Sequence, residues 1–136
     1  MPRRDLYHRL LGAAVLACCL AAGCTQPPET GEVPQVTAWD ILPAPPSAGP
    51  DTVVRFTIRD MQARPVVGAR LELQGHMSHA GMAPVVSPVT SVGDGVYEAR
   101  LRFTMAGDWV LVVDGQLPDG SRLTRQIEVP GVRPPL

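Results

Sequence analysis

The sequence has no cysteine after Cys24, and the other two, Cys18 and Cys19, also lie near the N-terminus. A domain built from the remaining residues therefore has no thiol for catalysis or redox chemistry, no disulfide and no zinc-thiolate site. Aromatic residues make up only 4% of the chain, and no basic stripe follows the first ten positions. These two shortages argue against nucleic acid as a partner.

The remaining polar residues also argue against an enzyme. Three of the 12 basic residues and one of the 13 acidic residues lie in the first ten positions, so the rest of the chain carries nine and twelve, a net charge of −3. No serine has a nucleophile-elbow context, and no isolated pair of carboxylates marks a cleft. We therefore predict a mildly acidic domain without catalytic activity.

The first 24 residues are predicted to be a lipoprotein signal with its lipidation site. Three arginines precede an apolar run at residues 10–23, which is shorter than the roughly 20 residues of a membrane span and typical of a secretory signal. The run ends in Leu20-Ala21-Ala22-Gly23-Cys24, which resembles a bacterial lipobox, so Cys24 is predicted to carry the lipid. Cleavage before Cys18 is a competing match, and a plain cleaved signal peptide or an uncleaved anchor are further alternatives.

The rest of the chain is predicted to contain a tether, one domain and a short tail. Prolines recur among small and polar residues from 25 to 50, a composition that favours extended backbone. We assign residues 24–35 to a Pro-rich tether, 36–130 to the domain and 131–136 to a C-terminal tail.

The domain has the pattern of a β-sandwich. Apolar and polar residues alternate with a period of two, and no window has helical spacing. Turn sequences such as Gly93-Asp94-Gly95 separate the alternating runs. Strands are expected at 36–42, 52–59, 69–74, from about Val85, and at 96–103, 109–113 and 123–129. We predict an all-β fold, a single antiparallel immunoglobulin-like sandwich of about seven strands with Trp109 and Trp39 in its core.

A seven-residue run at 76–82, HMSHAGM, which we call the His/Met segment, holds two histidines and two methionines. Imidazole and thioether together suit Cu(I) and neither favours Mg²⁺ or Ca²⁺. The segment is expected on a loop between the strand ending near Gln74 and the strand beginning near Val85. We predict a copper site, with His76, His79 and Met82 as ligands and Met77 as a further donor. The alternatives are solvated histidines and methionines that fill gaps in the core.

Met105 is a separate case. Strand alternation places it on the same inward face as Phe103, so we expect it in the core. It could join the copper ligands only if its turn meets the His/Met segment at one end of the sandwich.

Three segments together resemble one family: residues 59–69 (RDMQARPVVGA), the His/Met segment, and residues 95–109 (GVYEARLRFTMAGDW). In this order they are similar to the YtkA-like domain, which is related to the FixH proteins. The resemblance spans roughly residues 36–129 and implies an immunoglobulin-like sandwich outside the cytoplasm. It also implies a link to copper handling or to assembly of copper oxidases. The chain departs from FixH proteins, which carry a membrane-spanning anchor, by having a lipobox.

These observations predict a lipid-anchored, extracytoplasmic copper-binding protein that buffers the ion or delivers it as a chaperone. Its partners would be copper, most readily Cu(I), and a copper enzyme or transport protein, with the membrane reached only through the lipid. We expect it on the periplasmic side of a membrane. Thr25 after Cys24 is compatible with the outer membrane. The alternative is an immunoglobulin-like accessory module of an envelope transport or oxidase-assembly complex that binds no metal.

Overall fold

The computed structural model describes residues 34–79 and 81–135. Seven strands account for most of this range, which contains no helix: β1 (Gln35–Leu42), β2 (Asp51–Arg59), β3 (Arg70–Met77), β4 (Val85–Gly93), β5 (Val96–Arg102), β6 (Gly107–Gln116) and β7 (Arg122–Val132). Each predicted strand is present, so the all-β prediction is confirmed.

The strands form an antiparallel immunoglobulin-like sandwich in the order β1-β2-β5-β4-β3-β6-β7. Strand β4 joins its two halves. Residues 85–88 of β4 pair with β3, and most of the strand beyond them pairs with β5. Changing partners part-way along a strand lets one continuous sheet fold over on itself, which brings two inner faces together around a core.

The core is formed by the inward-facing residues of both halves. Leu73 of β3, Leu111 and Val113 of β6 and Leu101 of β5 are fully buried. Trp109, predicted to anchor the core, is only 2% exposed and packs edge-to-face on Phe103, with ring centroids 5.2 Å apart. Such aromatic pairs contribute both buried area and a preferred geometry.

The second aromatic group lies on the other half of the sandwich. Trp39 of β1 is half-buried and packs on Phe56 at 5.0 Å, and Phe56 in turn stacks on Tyr97. The Tyr97 hydroxyl donates to the Val66 carbonyl (2.8 Å) and accepts from the Ala69 amide (3.2 Å). This side chain therefore fixes the connection between β2 and β3, just before the strand that carries the candidate site.

The ends of the domain lie close to the predicted limits. Strand β1 begins at Gln35, and β7 continues to Val132, whose side chain is buried, so the ordered domain extends into the segment predicted as a tail. Arg133 then pairs with Ser47 in an isolated bridge. The predicted signal peptide (1–23), Cys24 and the tether before Pro34 lie outside the described residues.

Among the residues that the structure describes, no helix is long and apolar enough to cross a membrane.

Candidate metal site

The His/Met segment begins inside a strand, which differs from the expected loop. Strand β3 continues to Met77, and its last two residues pair with β6: His76 with Val110 and Met77 with Trp109. The reason is a long-range one, since the register of β6 supplies backbone partners for the three residues of β3 beyond Gln74. Only residues after Met77 form the connection to β4.

His76 lies on the outer face of β3 and is half-buried. Its ring atom Nε2 is 3.1 Å from Oε1 of Gln74, two residues earlier on the same face. Gln74 in turn donates from its Nε2 to Oε1 of Glu72 at 2.5 Å. Side chains at i, i+2 and i+4 of a strand share one face, so these three residues form a continuous polar row that ends at His76.

Met77 lies on the opposite face. It packs against the buried core, and its Cε is 3.4 Å from the position that a Cβ on Gly107 would occupy. Successive side chains of a strand point to opposite faces, so Met77 and His76 do not converge in this structure. The absence of a side chain at Gly107 leaves the space that the Met77 methyl group approaches.

His79 and Met82 lie on the exposed loop between β3 and β4, and Met82 is 46% exposed. The loop is anchored at its start, where the backbone amide and the hydroxyl of Ser78 both donate to the Asp108 carbonyl, each at 3.1 Å. Gly81 has a φ of 98° and open space around it. A loop fixed at one end and turning at a glycine can bring exposed donors toward His76 without disturbing the core.

The expectation that Met105 belongs to the core is wrong. Its side chain is 50% exposed, although Phe103 is fully buried. Strand β5 ends at Arg102, where its partner β2 begins at Asp51, so strand alternation does not extend to residue 105. The Met105 carbonyl accepts a hydrogen bond from Trp109 Nε1 (3.0 Å), which holds this turn at the end of the sandwich where Met77 meets Gly107.

Charged residues lie on the outer face near both ends of the row. At the His76 end, the exposed Glu128 of β7 pairs with Val110, which is the cross-strand partner of His76. Glu72 pairs in register with Asp114 of β6. The pKa of Asp114 is held below its ordinary value, first by a hydrogen bond from Arg122 and then by one from Thr124. The His/Met segment itself contains no carboxylate. Within residues 34–79 and 81–135, no group of three or more His, Cys, Asp or Glu side chains is arranged to hold a metal ion.

This donor set restricts the chemistry. A site built from carboxylates would favour hard divalent cations, whereas imidazole and thioether favour soft ions such as Cu(I). The sequence singled out four candidate donors, but it did not single out Glu72 and Gln74, which form a hydrogen-bonded row with His76. The signal was present as three polar residues at alternate positions, 72, 74 and 76, in a strand with buried residues between them.

Comparison with known proteins places the domain in a family. The YtkA-like family model matches residues 34–114, more than half of the chain. The chain belongs to the YtkA-like family. The match runs from the residue before β1 into β6 and includes the whole His/Met segment of this YtkA-like domain.

Among solved structures, the domain is similar to the crystal structure of the PmoD soluble domain from Methylocystis sp. (Rockwell), with a TM-score of 0.43 and 18% identity, covering 64% of this chain and 75% of that one. No curated protein matches this YtkA-like chain.

Proposed function

We propose that this YtkA-like domain is an extracytoplasmic accessory module that binds one Cu(I) through His76, His79 and Met82. The observation that carries the proposal is the position of His76 on the outer face at the end of β3, directly before an exposed loop that holds His79 and Met82. One donor is fixed by the sheet and two are carried by the loop. Such an arrangement allows binding and release, as a buffer or a chaperone requires.

The chain length permits the three donors to reach one ion. Consecutive Cα atoms are about 3.8 Å apart, so the Cα atoms of His76 and His79 are at most about 11 Å apart, which two imidazole side chains and their bonds to a shared ion can span. The same limit applies to the three-residue step from His79 to Met82. Two imidazoles and a thioether satisfy the low coordination number of Cu(I), while Zn²⁺ would lack the thiolates or additional nitrogen and oxygen ligands that it takes in proteins.

Met77 has a different role in this proposal. Because it faces the core beside Gly107, it can act as a further donor only if the last pair of β3 and β6 opens. We therefore assign it to packing in the resting domain.

The cellular setting is part of the proposal and is supported by the sequence of the N-terminus. A lipid on Cys24 would place the domain on the periplasmic side of a membrane, with the Pro-rich segment as its tether. A copper enzyme or transport protein would then receive the ion from the exposed loop. Metabolic labelling with a fatty-acid analogue tests the anchor, since Cys24→Ser should lose the label.

Competition with a chromogenic Cu(I) chelator tests copper binding. The purified protein should remove close to one equivalent of copper, and His76→Ala/His79→Ala should lose most of that capacity with an unchanged circular dichroism spectrum. Met61→Ala is the matched control, because Met61 is an exposed methionine (49%) in the turn after β2.

Two results would contradict the copper site. If the double variant competes as well as the wild type, the ligands lie elsewhere. If the wild type binds no copper, the remaining function is an accessory module that binds protein without metal.

A further inference from the structure

The hydrogen bonds of the polar row on β3 restrict where the proton of the His76 ring can lie. The Glu72 carboxylate can only accept hydrogen bonds, so the amide group of Gln74 must present its NH₂ to Glu72, as it does at 2.5 Å. The Gln74 carbonyl oxygen then faces His76 Nε2 at 3.1 Å and can only accept. Each contact is satisfied only when His76 Nε2 is the donor.

We infer that Glu72 and Gln74 are positioning residues that hold neutral His76 as its Nε2–H tautomer, so that a metal ion bound by His76 is bound through Nδ1. The second clause rests on the copper proposal, whereas the first concerns the metal-free protein. Histidine ligands of metal sites commonly donate their other N–H to a carboxylate or carbonyl, which fixes both the tautomer and the ring orientation. Here an amide oxygen takes that place, and a carboxylate fixes the amide.

The neighbours of the row favour this role. Gln74 lies in register between Val86 of β4 and Val112 of β6, and His76 pairs with Val110. Cross-strand partners share a face, so valine side chains flank the Gln74 amide on both sides. They reduce the access of water to the hydrogen bonds of this amide. The Gln74–His76 contact is part-buried, and a hydrogen bond shielded in this way is stronger than one between fully solvated groups. The Gln74–Glu72 bond is exposed, but linked hydrogen bonds polarise one another.

The hydrogen bonds of the row all run the same way, from His76 to Gln74 and from Gln74 to Glu72, and a substitution can reverse this order. A donor in place of Glu72 would attract the Gln74 carbonyl oxygen and turn the NH₂ toward His76. Nε2 would then have to accept, and the proton would move to Nδ1. Glu72→Lys should therefore invert the tautomer, whereas Gln74→Leu should only release it.

Nitrogen-15 NMR of the metal-free protein, at a pH where the ring is neutral, measures the tautomer of each histidine directly. In the wild type we expect His76 to be Nε2–H. Gln74→Leu should change the tautomer ratio by about fivefold, the effect of losing one hydrogen bond of ordinary net strength, and Glu72→Lys should reverse the preference.

The matched control is Gln126→Leu. Gln126 is an exposed glutamine on β7 that pairs with Val112, the β6 partner of Gln74. It therefore lies on the same face of the sheet, two strands away from Gln74. This variant should leave the His76 tautomer unchanged. His79, on the loop beyond β3, is an internal control within each spectrum.

Titrating the same labelled protein with Cu(I) separates this inference from the copper proposal. Adding Cu(I) anaerobically should shift the Nδ1 resonance of His76 and leave its Nε2 protonated. If His76 is Nδ1–H in the wild type, or if Glu72→Lys and Gln74→Leu leave its tautomer unchanged, the positioning role is refuted. If the tautomer behaves as expected but Cu(I) moves neither nitrogen, only the copper proposal and the clause that rests on it fail. Copper on Nε2 would refute that clause alone.

Discussion

The two faces of strand β3 differ in what their side chains contact: one face packs the core, and the other carries His76, a ligand of the proposed copper site. Leu73, Gly75 and Met77 face the core, where Leu73 is fully buried and Met77 approaches Gly107. Between them, Glu72, Gln74 and His76 form the polar row on the outer face. The chemistry of the outer face is therefore built on a backbone whose position is fixed by contacts of the inner face. Substitutions on the inner face should change stability, and those on the outer face and its loop should change binding.

The largest effect should come from Trp109→Ala, at the inner-face position that pairs with Met77. The substitution removes a side chain that is 2% exposed, its contact with Phe103 and its hydrogen bond to the Met105 carbonyl. Deleting a buried aromatic side chain costs about 3–5 kcal/mol. Chemical denaturation monitored by circular dichroism measures this loss.

An unchanged denaturation midpoint would contradict the role of Trp109 in the core. Trp39→Ala is the useful comparison, because Trp39 lies on the edge strand β1 and is only half-buried. It should cost less stability than Trp109→Ala.

The sequence predicted the strands well because their inward residues repeat every second position. In β2, for example, Val54, Phe56 and Ile58 are buried and the residues between them are not. Trp109 and Trp39 were predicted in the core from the large apolar area of their rings, and of the two only Trp109 is fully buried. Period-two alternation is a local signal, so it can be recognised without knowing the partner of each strand.

The candidate site was less predictable because its limits depend on partners distant in the sequence. His76 and Met77 belong to β3 through pairing with β6, and Met105 leaves the core because β5 has no β2 partner beyond Arg102. Neither fact is visible in the residues themselves. The identity of the soft donors could be read from composition, but the separation of Met77 from the others required the register.

The two methionines of the His/Met segment allow the inner face of β3 to be compared with the exposed loop. Met77→Ala should destabilise the domain by about 1–2 kcal/mol, below the range for a fully buried methionine, because Met77 is half-buried against the core. Met82→Ala should change stability by less than about 0.5 kcal/mol, because Met82 is 46% exposed. In the chelator competition the order should reverse, with Met82→Ala losing more copper affinity.

Thermal melts and chelator titrations on the same two proteins provide the measurement. Equal loss of copper affinity in both variants would mean that β3 and β6 separate at Met77 when copper binds. Equal loss of stability would mean that the exposed loop contributes to the core.

The smallest effect should come from Asp114→Asn on the outer face. Asp114 accepts hydrogen bonds from Arg122 Nε (3.1 Å) and Thr124 Oγ1 (2.7 Å), and the Arg122 contact is the main reason that its pKa lies below the ordinary 3.8. A carboxyl group with a lowered folded-state pKa stabilises the fold above its unfolded pKa, and this contribution disappears as the pH falls through the lower, folded value. Arg122 is 76% exposed, so solvent screening keeps the contribution small.

Paired melts of wild type and Asp114→Asn across the acidic range can detect this contribution. The wild type should be slightly more stable at neutral pH, and the difference should narrow as the pH falls below 3.8, the ordinary pKa of the group. Added salt at neutral pH should also narrow it, because exposed charges are screened. A difference that is constant with pH and salt would mean that the substitution acts through the shape of the side chain. In that case the charge of Asp114 would contribute nothing to the stability of the fold.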